Sequence, residues 1–149
     1  MGRTIKITLI CLIFFCLFTH PLFAASNVRT VVKIIHASTG SDHVDSNLNS
    51  IISELKSVFK YTSYRLLNNQ QLTQQFNQEG RISLPGNRTL AITPADMTGK
   101  RIKYQIAIQR GNKSIFQTQV LLKNNNSITI GGPQHEDGVL LFNISGSAQ

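Results

Sequence analysis

In residues 100–109, Ile102, Tyr104, Ile106 and Ile108 alternate with Arg101, Lys103, Gln105 and Gln109. A period of two is the repeat of a strand with one buried and one solvated face. Such a face must be covered by a helix or by a second sheet, so this stretch limits the chain to layered β-rich folds. Its surroundings extend the pattern. Pro85-Gly86-Asn87 separates two short segments, 80–84 and 88–93, and predicts a hairpin, because proline presets φ for a turn and glycine and asparagine tolerate positive φ. Residues 94–99 predict a break, Gly111-Asn112 turns the chain into a strand over 114–123, and Asn124-Asn125-Asn126 turns it again.

Beyond that turn, Ile128 and Ile130 alternate with Ser127 and Thr129. Gly131-Gly132-Pro133 is expected to stop this strand, with at least one of the two glycines in a conformation forbidden to other residues. A polar tip, Gln134 to Gly138, then leads to a closing strand over 139–144, which predicts a hairpin whose loop is longer than two residues.

The amino-terminal half contains the one convincing helix. A β-branched run over 28–36 predicts the first strand. Asp45 is then an expected N-cap, and Val44, Leu48, Ile51, Ile52, Leu55 and Phe59 fall at the spacing of one helical stripe, with Lys56 and Lys60 in the last turn. Residues 61–67 predict a second strand, reached by a right-handed β-α-β crossover, and the Gln/Asn-rich passage 68–78 reads as a polar extended strand or loop. The fold class expected is α+β, with one amphipathic helix packed on a mostly antiparallel sheet or small sandwich of about seven or eight strands.

Arg3 and Lys6 precede an apolar run over 7–18, Pro21 ends it, and small residues follow. This is the pattern of a cleaved signal peptide, shorter than a bilayer span, with cleavage expected after Ala24 or Ala25. The organisation expected is a signal peptide over 1–25 and a single exported domain over 26–149, periplasmic or secreted, with no membrane span after cleavage. Cys11 and Cys16 lie in the signal, so the mature chain contains no cysteine and forms no disulfide. Loss of Arg3 and Lys6 lowers the basic count from 15 to 13 against 7 acidic residues, which takes the net charge from +8 to +6. That charge is scattered along the sequence and argues for weak association with anionic polymers more than for a site.

Catalytic signatures are absent from the sequence: there is no G-x-S-x-G, no H-E-x-x-H and no phosphate-binding loop. His135-Glu136-Asp137 offers three metal-capable side chains, but neighbours on one turn rarely converge on an ion, and the tip is expected to be exposed. Asp42 and His43 with Asp45 read as a solvated loop beside a helix cap, and Arg101 and Lys103 as a solvated strand face, since Tyr104 points the other way. No catalytic, cofactor or metal residue is assigned, and specific nucleic-acid binding is not expected.

Three combinations carry a resemblance: Tyr64-Arg65-Leu66-Leu67; Leu84-Pro85-Gly86-Asn87-Arg88-Thr89-Leu90; and Ile130-Gly131-Gly132-Pro133 with Asp137-Gly138-Val139-Leu140-Leu141. Through them the chain resembles a group of uncharacterised exported proteins of Gram-negative bacteria. A shorter stretch, Phe116 to Gly132, is similar to a strand-turn-strand near the end of secretin channel proteins, although the channel-forming region is missing here. The resemblance implies a periplasmic accessory role. The leading expectation is a non-catalytic interaction or assembly protein of the bacterial envelope, whose partner is another envelope protein. A binder of an anionic surface polymer is the second reading, and a small hydrolase using Asp42, His43 or His135 is the third.

Overall fold

The computed structural model describes residues 26–149, so the expected signal peptide and both cysteines lie outside the described residues. The elements run β1 (Asn27–Ser38), a 3-10 turn (Ser46–Leu48), α1 (Ile52–Val58), β2 (Ser63–Gln75), β3 (Gly80–Leu84), β4 (Arg88–Thr98), β5 (Arg101–Arg110), β6 (Lys113–Lys123), β7 (Asn126–His135) and β8 (Gly138–Ala148). They form two four-stranded sheets, β2-β1-β8-β7 and β3-β4-β5-β6, in which every neighbouring pair is antiparallel. The described residues are therefore β-rich with one short α-helix.

The alternation predicted on β5 becomes burial: Ile102, Tyr104, Ile106 and Ile108 are all buried. They share one apolar core with Val28, Val32 and Ile34 of β1, Leu90 and Ile92 of β4 and Leu140, Phe142 and Ile144 of β8. The two sheets thus face each other across this core. Thr30 and Tyr104 put hydroxyls into it, 3.0 Å apart, and each satisfies the other. Burial raises the Tyr104 pKa, so the phenol stays neutral. Tyr104→Phe leaves the Thr30 hydroxyl buried without a partner, and we expect a loss of about 1–2 kcal/mol in urea unfolding.

A second apolar cluster unites Leu48, Ile51 and Leu55 with Ile35, Ala37, Tyr64 and Leu141. Val44, Ile52 and Phe59 pack against it half-buried, so all six residues of the predicted stripe meet there. The helix itself is shorter than the stripe. Asp45 caps the 3-10 turn by accepting from the Asn47 amide, and this hydrogen bond holds the Asp45 carboxyl below its usual range. Asn47, Asn49 and Ser50 are residue types of low helix preference, and the α-helix starts only after them. The Tyr64 hydroxyl donates to the Phe59 carbonyl at 2.9 Å and so closes the far end of α1.

Three further expectations are corrected. β1 and β2 are antiparallel neighbours, so the helix-containing connection is not a parallel crossover. β4 runs through most of the predicted break at 94–99: a bulge between Pro94 and Asp96 absorbs the proline, and the chain turns only at its last residue, Gly99, at φ 60°. Likewise Gly131-Gly132-Pro133 lies within β7 as an irregularity in the ladder, and pairing continues to His135 opposite Gly138, leaving only Glu136 and Asp137 as the tip. Neither Gly131 nor Gly132 has a positive φ. Gly132 is needed for space, because a Cβ there would collide with the Phe142 ring and lie 2.9 Å from the Leu140 carbonyl oxygen.

The Gln/Asn-rich passage is mostly strand. β2 continues to Gln75, and the buried Gln74 amide donates to the carbonyls of Gln78 and Ile92 at 2.8 and 2.9 Å, tying this edge to the other sheet. No helix among the described residues is long and apolar enough to cross a membrane.

Candidate functional site

Two regions of the molecule are not explained by folding alone. The first is the free edge of β6. This strand pairs with β5 on one side and ends its sheet on the other, leaving a row of backbone groups without a ladder partner. Ile115, Phe116 and Leu121 on it are 42%, 37% and 53% exposed. The reason is local. A bulge opposite Ile108 and Gln109 places Ile115 out of register, between Ser114 and Phe116. Phe116 keeps the inward alternation opposite Ile108, but at this edge the first sheet does not cover it. Edge strands are usually blunted by charge or proline. Here the only charges, Lys113 and Lys123, stand at the two ends.

The outer face of the same sheet is different in character. Glu79, Thr93, Gln105, Gln109, Gln117 and Gln119 line a groove there, a polar surface of amides with one carboxylate. At one corner Lys100, Arg101 and Lys123 stand around Leu121, with Arg101 directly opposite Lys123 in the ladder.

The second region is the end of the two sheets where the β7–β8 tip meets β1. His36 lies on β1, two residues beyond Ile34 and on the same inward face. Its side chain is 7% exposed, yet among the described residues its Nε2 has no hydrogen-bond partner. Asp137 Oδ1 lies 3.4 Å from that nitrogen, and the ring of His135 stands edge-on to the His36 ring at 5.3 Å between centroids. Arg88 fixes the strand beside them: its Nε donates to Pro85 O at 2.8 Å and its Nη1 to Gln134 O at 3.0 Å, joining the β3–β4 turn to β7. Burial, with a smaller contribution from Arg110, lowers the Arg88 pKa.

The structure brings some of the residues singled out from the sequence together and leaves others apart. Glu136 and Asp137 stand exposed at the tip; His135, the last residue of β7, is 18% exposed and stands edge-on to His36. Asp42 and His43 are exposed and are not members of this group; the His43 carbonyl accepts from the Tyr64 amide. Arg101 and Lys103 face away from the core that holds Tyr104, as their alternation predicts. His36 is hard to single out in the sequence because it ends a β-branched run and reads as part of strand one. The signal that marks it is phase: it continues the buried set Val32 and Ile34, where a histidine needs a partner.

Comparison with protein-family models, with curated proteins and with solved structures gives no match.

Proposed function

We propose that this protein is a non-catalytic interaction or assembly module of the bacterial envelope, exported through a cleaved signal peptide over 1–25, and that it docks a partner envelope protein along β6. The observation that carries this reading is the unpaired, apolar β6 edge. An incoming extended segment would pair its backbone with the free N–H and C=O groups of β6 and lay side chains against Ile115, Phe116 and Leu121. The signal-like residues 1–25 and the lack of catalytic signatures support the same reading. Within it, α1 packs on the outer face of the first sheet, and β6 offers an apolar edge to a partner.

The test is capture from the organism's own envelope extract by the mature protein and by an Ile115→Lys/Leu121→Lys double variant. Both side chains are exposed, so the variant should unfold within about 0.5 kcal/mol of wild type. Capture of a discrete protein that falls at least about tenfold in the variant is the expected result, and equal capture by both proteins removes the β6 assignment.

One observation favours the anionic-polymer reading. Arg101 and Lys123 are opposed like charges with Lys100 beside them, an arrangement that costs stability unless an anion sits between them. Salt-reversible retention on a polyanionic matrix, with no protein captured, would favour that reading over the first.

A further inference from the structure

The geometry points to a divalent transition-metal site of the zinc type, formed by His36 Nε2 with the Asp137 and Glu136 carboxylates, with His135 beside them. The proposal is independent of the β6 edge and lies at the end of the sheets where the β7–β8 tip meets β1. One nitrogen or oxygen atom from each of His36, Glu136 and Asp137 lies within 4.8 Å of the others. A tetrahedral ion with bonds of about 2.0–2.1 Å separates its ligand atoms by about 3.4 Å. His36 Nε2 and Asp137 Oδ1 are 3.4 Å apart and form no hydrogen bond, so they are spaced as two ligands of one ion. His135 Nε2 stands 3.8 Å from Glu136 Oε1, which places a second imidazole at the edge of the set. Imidazole with carboxylate is the donor mixture that suits zinc and its neighbours, and it is poorer for calcium or magnesium.

The decisive observation is His36. A buried imidazole nitrogen without a partner is costly, and side chains in this position normally find a donor, an acceptor or a metal. Glycines stand where a side chain would crowd the two ligand atoms. Gly138 lies beside it, and a Cβ at Gly138 would come within 3.0 Å of Nε2. Gly40 does the same on the other side of the tip, where a Cβ would lie 3.1 Å from Asp137 Oδ2. Glu136 sits at φ 51°, and this backbone conformation directs the two tip residues back over the end of β1. Asp137 and Glu136 remain 62% and 66% exposed, so an ion held here is reachable from solvent and exchangeable.

The experiment uses the untagged protein, stripped with EDTA and titrated with zinc chloride by calorimetry. One ion per chain at low-micromolar affinity or better is expected, weakened about tenfold or more by Asp137→Asn and by His36→Gln. A rise of about 5 °C or more in Tm at a hundredfold excess over Kd should accompany binding in the wild type and be lost in Asp137→Asn. Asp96→Asn, exposed at the other end of β4 from Arg88, should bind as wild type. Because replacing the buried His36 can by itself disturb folding, the exposed Asp137→Asn and Glu136→Gln variants decide the matter alone if His36→Gln is not soluble. No stoichiometric zinc uptake by the wild type overturns the assignment. So does unchanged zinc affinity in Asp137→Asn, or a Tm loss in that variant with no zinc dependence in either protein, which would make the pair a simple ion pair.

Discussion

Gly138→Ala is expected to destabilise the protein by more than about 3 kcal/mol, at the upper end of what overpacking does. The new Cβ would collide with the Ala37 carbonyl oxygen, lie 2.9 Å from its carbon and crowd His36 Nε2. Side chains can turn aside from such a contact, but a backbone cannot. Ala37 belongs to β1, which is held by β2 on one flank and β8 on the other, so neither strand can recede without opening a ladder. Gly99→Ala is the control: nothing lies within 4 Å of its Cβ position, and only the left-handed backbone at φ 60° is strained, at about 1–2 kcal/mol. Urea unfolding of the two variants should therefore separate them clearly, and a Gly138→Ala protein as stable as Gly99→Ala would mean that the β1–β8 approach is looser than described.

Leu55→Ala is expected to cost about 2–5 kcal/mol, because Leu55 is fully buried among Ile35, Ala37, Tyr64 and Leu141 and its removal leaves a cavity under a single short helix. Thermal or urea unfolding measures the difference. A loss below about 0.5 kcal/mol would mean that α1 contributes nothing to the core. The same measurement on Val58→Ala, which is 65% exposed at the last position of α1, should show little change.

How much of this was legible in the sequence depended on whether the deciding forces were local. The β5 set and the six-residue stripe of the helical region follow from periodicity alone, and each of those residues is found in an apolar cluster. The turns at Gly86-Asn87, Gly111 and Asn124-Asn125 follow from local backbone preference, and Gly86, Asn87, Gly111 and Asn125 all take positive φ. What failed was punctuation by proline. Pro94 and Pro133 each lie inside a strand whose ladder shifts to accommodate them, which depends on the partner strand and leaves no trace in the residues themselves. The His36 cluster failed for a related reason, since it joins β1 to the far end of the chain through β8, and nothing near either end announces the other.

The order of strands also sets the order in which the fold can be assembled. The sheet β3-β4-β5-β6 is a meander of consecutive hairpins, so its contacts are local and can form early. The other sheet has β8, the last strand, lodged between β1 and β7, and β1 stands at the opposite end of the described chain. Loop closure of that span must come before its reward in contacts. Pairing of β1 with β8 is therefore expected to form later than the β3-β4-β5-β6 meander.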